Sequence, residues 1–180
     1  MQGATWHPLF MLSRRALHLL ASGAAVSLVA PQLFGATSRE LFTLARSKNA
    51  NVVKYAVRID PDGRLNAARP VEAYWLMLAE NGRREELTWT ERQLAYGFSI
   101  SEQTSQGLVL RLGACSTRPL RVSFVAGAFR AELEIAGQRA SLQRIFVRTD
   151  EGLLLPSVRY VELSGLAAGA RRVVERVVPR

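Results

Sequence analysis

From Phe129 to Ile135 the chain alternates without a break. Phe129, Ala131, Leu133 and Ile135 are apolar, and Arg130, Glu132 and Glu134 between them are charged. Successive side chains of an extended strand point to opposite faces, so this period commits the segment to a strand with one buried and one solvated face. Asn51–Ile59 repeats the pattern, with Val53, Tyr55, Val57 and Ile59 on one face and Lys54 and Arg58 on the other. Val71–Leu78 is more continuously apolar and reads as a strand buried on both faces. Leu41–Ala45, Phe98–Ser101, Gly107–Leu112, Leu120–Val125, Arg139–Val147, Val158–Leu163 and Arg171–Val178 complete the predicted strands.

Turn chemistry separates these runs at spacings of roughly ten residues, the rhythm of an antiparallel sandwich or barrel. Asp60-Pro61-Asp62-Gly63 combines a residue that pre-sets φ with one that tolerates positive φ. Asn81-Gly82 is a hairpin pair of the type I′ kind, and Ala126-Gly127, Ala136-Gly137 and Asp150-Glu151-Gly152 mark further turns. One helix is predicted at about residues 88–96. Thr88 as N-cap and Glu91 three residues on form a capping box, Gly97 offers a left-handed exit, and Trp89 is the expected anchor onto the sheet. The fold class is therefore mainly β: a single antiparallel sandwich or barrel-like domain over residues 38–180, with one short capped helix. No internal repeat or linker interrupts it, and a chain 48% hydrophobic can supply its core.

Residues 1–36 read as a targeting segment. Ser13-Arg14-Arg15-Ala16-Leu17 resembles the twin-arginine export signature, followed by an apolar stretch rich in Gly, Ala and Ser. Met11 suits the start of such a signal better than Met1. The stretch Ala16–Ala30 falls short of the ~20 residues a membrane helix needs, which favours a removed signal and no stable transmembrane span. A cut after Ala36 puts Phe34 at the position where a small residue is the rule. The expected partner of the precursor is the twin-arginine export machinery, and the expected location is the periplasm or cell envelope.

This segment also bears on chemistry, because both histidines, His7 and His18, lie inside it. A mature domain without histidine cannot run Ser-His-Asp or Cys-His catalysis. Cys115 is the only cysteine, so no intramolecular disulfide forms and no thiolate metal site can be assembled. No metal and no cofactor is predicted. The chain carries 24 Lys and Arg against 15 Asp and Glu, a formal charge of +9. These charges are spread singly along strands, with no basic run longer than Arg83-Arg84 or Arg171-Arg172, whereas nucleic-acid proteins gather them on one face. Nucleic acid is not the expected partner.

Unusual residues crowd into Arg46–Gly97, which holds two of the three Trp, three of the four Tyr and both Lys. Arg46, Lys48, Asn49 and Asn51 join two strands and offer cations and amides suited to an anion or a sugar. The asparagines could equally close their own loop as Asx turns. Tyr55, Glu91, Arg92 and Tyr96 complete the candidate ligand-binding set. Glu85, Glu86 and Glu91, with Asp60 and Asp62, are the acids available to a carboxylate hydrolase, although exposed acids rarely need a special explanation.

Three linked groupings carry a family resemblance: Arg46-Ser47-Lys48-Asn49-x-Asn51-x-Val53-x-Tyr55, then Pro70-Val71-x-x-Tyr74-Trp75, then Leu87-Thr88-x-x-Glu91-Arg92-x-x-Ala95-Tyr96-Gly97. With Leu142–Val147 and Val158-x-Tyr160-Val161-Glu162-Leu163-x-Gly165, they resemble bacterial proteins collected as domain-of-unknown-function family 4833. The resemblance spans nearly the whole mature chain. It implies an exported bacterial protein and assigns no catalytic or ligand residue. The leading expectation is a non-enzymatic β-domain that binds a small ligand or envelope component. A carboxylate hydrolase with a cleft near residues 46–55 and 88–97, and a purely structural domain, are the alternatives.

Overall fold

The computed structural model describes residues 36–113, 115–150 and 157–178, apart from the side chains of Leu94, Cys115–Thr117 and Ser157. The targeting segment before Ala36 and most of the Asp150-Glu151-Gly152 turn lie outside the described residues, as does the Cys115 side chain. Eleven strands follow one another: β1 Thr37–Arg46, β2 Val52–Ile59, β3 Val71–Met77, β4 Arg83–Glu86, β5 Phe98–Ser101, β6 Gly107–Leu112, β7 Cys115–Val125, β8 Ala128–Ile135, β9 Gln138–Asp150, β10 Ser157–Leu166 and β11 Arg172–Val177. The mainly β class and the short capped helical segment between β4 and β5 are as the residue pattern predicts.

All eleven strands belong to one open sheet in the order β4-β3-β2-β1-β9-β8-β7-β6-β5, with β10 on β9 and β11 on β10. Neighbours are antiparallel except β1 and β9, which run parallel from Thr43/Arg144 to Arg46/Val147. The parallel pair is possible because a long stretch of chain separates the two strands, leaving ample length for the crossover such a pair needs. At thirteen residues, β9 is long enough to hold β8 along Gln138–Ser141, β1 along Arg144–Val147 and β10 along Ser141–Asp150.

The turns form where the sequence places them. Ala126-Gly127 and Ala136-Gly137 each make a two-residue hairpin with both residues at positive φ, the type I′ geometry that suits the strand twist. Gly63 N donates to Asp60 O at 2.9 Å in the predicted turn. Asn81 and Gly82 are also left-handed, but they end a five-residue loop after a single 3-10 turn, Leu78–Glu80, rather than forming the whole connection.

The apolar face of nearly every strand enters one core. Val53, Tyr55, Val57, Leu110, Val122, Ala131, Ile135 and Leu142 are fully enclosed. Phe42 stacks on Tyr55 with ring centroids 4.6 Å apart. β3 corrects the expectation of burial on both faces: Val71 and Ala73 are buried, while Glu72 and Tyr74 on the other face are only partly covered. The reason lies in β4, which carries Arg83-Arg84-Glu85-Glu86 and brings charge rather than apolar surface alongside.

The sheet curls until its two ends approach without pairing. Tyr55 of β2 meets Phe98 of β5 edge-on at 6.3 Å. Leu65 N donates to Ser105 O at 2.9 Å and Gln103 Nε2 to Ala67 O at 3.0 Å, which ties the β2–β3 loop to the β5–β6 loop. A seam remains between β3 and β5, bridged at its other end by the helical connection. Among the described residues no helix is long and apolar enough to cross a membrane.

Candidate functional site

The helical connection crosses one end of the seam and is built from its capping box. Thr88 Oγ1 accepts from Glu91 N at 3.3 Å, and the Glu91 carboxylate accepts from Thr88 N at 2.8 Å and from Thr88 Oγ1 at 2.9 Å. Glu91 also accepts the indole N–H of Trp75 at 3.0 Å, fastening the turn to β3. Burial works against the ionised Glu91, but the hydrogen bonds from Thr88 and Trp75 hold its carboxyl below the ordinary range. The helix α1 is only Trp89–Glu91 and continues as a π-helical turn, Arg92–Tyr96.

Two expectations about this segment are corrected. Gly97 is extended (φ −70°, ψ 163°), not left-handed. Glycine is needed for another reason: a Cβ there would lie 1.8 Å from the Arg92 carbonyl oxygen. Trp89 is not the anchor, since it is 76% exposed. Leu87 and Tyr96, both buried, hold the segment instead, and Trp75 packs edge-on against Tyr96 at 5.1 Å.

The candidate ligand set divides into separate environments. Arg46 Nη1 donates to Tyr96 Oη at 3.2 Å, and Tyr55 Oη donates to the Tyr96 carbonyl at 2.9 Å. Both tyrosines are buried, and burial pushes the Tyr55 phenol well above its ordinary value. These three residues form a strut between β1, β2 and the π-helical turn. Asn49 Oδ1 accepts from Asn51 N at 2.9 Å, closing an Asx turn, and Lys48 stands exposed beside it at positive φ. Asn49, Asn51 and Glu91 line a shallow hollow of about 260 Å³ with Trp75, Met77, Glu85 and Thr88. Arg92 and Tyr96, in contrast, reach the seam.

The seam holds the larger cleft, about 850 Å³, within the range of roughly 300–1,000 Å³ typical of ligand pockets. Its floor is apolar and buried: Val71 and Ala73 from β3, Leu87 and Tyr96 from the connection, Leu112 from β6. Phe98 of β5 adds a partly covered ring. Its rim is charged. Arg58, Arg69, Arg84, Arg92 and Arg111 face Glu72 and Glu86, and no other acid among the described residues lines the cleft.

Both glutamates are engaged by lining arginines. Arg84 forks onto Glu72 with Nη1–Oε1 and Nη2–Oε2 distances of 3.2 and 3.1 Å, and its guanidinium lies 3.7 Å from the centre of the Tyr74 ring. Arg92 Nη2 donates to Glu86 at 2.8 Å, and its Nε donates to Leu87 O at 3.1 Å. Partial burial opposes the Glu72 charge, but hydrogen bonds from Arg84 and Ser38 and the charges of Arg84 and Arg58 hold its carboxyl below the ordinary range. Arg69 makes no side-chain hydrogen bond or ion pair among the described residues.

The family is decided by a match to the model of Domain of unknown function DUF4833 over residues 42–176. The chain belongs to that family. For this DUF4833 member no curated protein and no solved structure matches. The matched span runs from the middle of β1 through most of β11, and so takes in the whole seam and its rim.

Sequence reading pointed to Arg92 and Tyr96 at this cleft, named Glu86 only among the acids available to a hydrolase, and missed Arg58, Arg69, Glu72, Arg84 and Arg111. Their one signal was the charged alternate face of β2, β3 and β4. Spread over four strands and the β2–β3 loop, these charges look like ordinary solvated positions until the sheet curls. No group of three or more His, Cys, Asp or Glu among the described residues is placed to hold a metal ion.

Proposed function

We propose that this protein is a non-enzymatic binding domain whose seam cleft takes an anionic ligand, a carboxylate or phosphate carried on a partly apolar body. One observation carries the reading: five arginines line a single cleft against two glutamates, and both glutamates already pair with two of those arginines. Arg58 and Arg69, neither of them salt-bridged to Glu72 or Glu86, add positive charge over an apolar floor, where partial exclusion of water strengthens the attraction for an anion. The planar forks of arginine suit oxyanions better than ammonium groups do.

The hydrolase alternative loses ground on the same geometry. Acid-base work on a glycosidic bond needs two carboxyls flanking the substrate, one of them with a raised pKa. Glu72 and Glu86 stand together on the β3/β4 wall, and the facing wall contributes Ser99 and Arg111. Glu72 is shifted downward, the wrong direction for a general acid at neutral pH.

The twin-arginine-like pattern Ser13-Arg14-Arg15 supports delivery of this domain to the periplasm or envelope. Unchanged periplasmic delivery of an Arg14→Lys, Arg15→Lys chain would remove that support.

Binding is tested by calorimetric titration with inorganic phosphate and with citrate at low and high salt. Arg69→Ala and Arg111→Ala should each weaken the interaction about five- to tenfold, as loss of a charge-assisted contact does, and salt should weaken it further. Affinity indifferent to both substitutions ends the proposal.

A further inference from the structure

The cleft is not only a basic hollow; it lies between two strand edges whose backbone groups have no strand to pair with among the described residues. Arg58 N donates to Pro70 O at 2.9 Å, which makes Arg58 and Pro70 a hydrogen-bonded pair of the antiparallel β2/β3 ladder. Pairing alternates along such a ladder, so Glu72 and Tyr74 bond toward β2 while Val71 and Ala73 turn their N–H and C=O groups away from it. β4 covers that outer edge only from Tyr74 to Met77. On the facing wall, Gly113 N donates to Gly97 O at 2.8 Å, and the β5/β6 register continues from there. The same alternation turns the backbone groups of Phe98 and Ile100 away from β6, on an edge where β5 has no neighbour.

Resting on the anion-binding reading above, we infer that the seam accepts an extended acidic peptide segment of a partner protein, which pairs with β3 and β5 and completes the sheet. Addition of a strand to an exposed edge draws its affinity from main-chain hydrogen bonds and its specificity from alternate side chains. The seam offers both levels. A strand laid in it would direct one set of side chains to the apolar floor and the other to the arginine rim, so the fitting sequence alternates β-branched apolar residues with Asp or Glu. The charge balance selects against a second copy of this chain, which is itself strongly basic, and against its own residues 1–36, which contain no acid.

Seven-residue peptides alternating Glu or Asp with Val, Ile or Thr, titrated into the full chain, test this by amide hydrogen exchange and calorimetry. Exchange at the amides of Val71, Ala73, Phe98 and Ile100 should slow at least tenfold on binding. Replacing the acids by Gln or Asn, or N-methylating alternate peptide bonds, should each weaken binding at least tenfold. Ala73→Pro removes a donor that faces the seam and leaves the β2 ladder intact, so it should abolish most of the binding; if that chain does not fold, the N-methylated peptides decide. Peptides that bind without protecting these amides, that bind equally well when N-methylated or when uncharged, or that do not bind at all, overturn the inference. In the last case, phosphate or citrate binding that still depends on Arg69 and Arg111 leaves the anion reading standing, and its absence removes both.

Discussion

Strand β8 pairs with β7 along Ala128–Glu132 and with β9 along Glu132–Ile135, so Glu132 has a strand on both sides, whereas β3 gains an outer neighbour only from Tyr74 onward. Both strands put apolar residues on one face and charge on the other. On β8 the charged face stays ordinary: Glu132 pairs with Arg139 of the next strand at 2.9 Å, in a position where such pairs contribute little. On β3 the same kind of residue, Glu72, stands beside a missing strand. The gap admits Arg58, Arg69 and Arg84 on one side and Arg111 on the other. Alternation decides which way a side chain points. An absent neighbour decides whether it meets solvent or a cleft.

The sharpest way to break this comparison is at Tyr55, where the continuous half of the sheet touches the seam. Its ring is fully buried, and its hydroxyl holds the Tyr96 carbonyl. Tyr55→Ala should cost about 3–5 kcal/mol in urea unfolding, the range for deleting a buried aromatic. A loss below about 1 kcal/mol would mean the two halves are not joined there.

Gly97 comes next. A methyl group placed 1.8 Å from the Arg92 oxygen must displace the π-helical turn, so Gly97→Ala should destabilise by about 1–3 kcal/mol, as overpacking does. It should also weaken phosphate binding, because Arg92 and Tyr96 both belong to that turn.

Removing the cap is a smaller lesion. Thr88→Ala should cost about 1 kcal/mol. The cap also gives the seam a pH dependence. The folded Glu91 carboxyl titrates below its ordinary value of 4.5, so the unfolded chain takes up the proton more readily. Its contribution is complete above 4.5 and is lost as pH falls through the lower folded value. Glu91→Gln should therefore flatten the fall in stability below pH 4.5 in acid titrations of the unfolding midpoint, and an unchanged slope would detach Glu91 from that fall.

The least effect is expected at Trp89. Being 76% exposed, it should tolerate replacement by Ala within about 0.5 kcal/mol, despite being the largest side chain on the connection. A larger loss would restore it as the anchor.

Much of this architecture is legible in the residues because it rests on local rules. The alternation of Phe129–Ile135, the Ala-Gly hairpins and the Thr88–Glu91 capping box each act within a few residues, so the strand faces, the tight turns and the helix start follow from the chain alone. The exit of the helix did not follow. Gly97 reads as a left-handed cap, yet its requirement comes from the approach of a carbonyl that only a π-helical turn brings close. Trp89 misled for a related reason: its size says nothing about the direction in which a three-residue helix points it.

The candidate site shows the same divide. Tyr55 and Tyr96 belong to one polar-aromatic cluster in sequence and, with Arg46, form one strut in space. The cleft takes Leu87, Arg92, Tyr96 and Gly97 from one motif and adds Arg58, Arg69, Glu72, Arg84 and Arg111, which share none. What the sequence by itself determined is the strand content, the buried face of the alternating strands β2 and β8 and the absence of histidine from residues 37–180. What only the tertiary structure decided is that the sheet curls without closing. That follows from β4 being four residues long and β5 meeting no partner on its outer edge, distances and pairings that a one-dimensional pattern does not contain. The curl gathers scattered arginines, three of them from separate strands, around two strand edges.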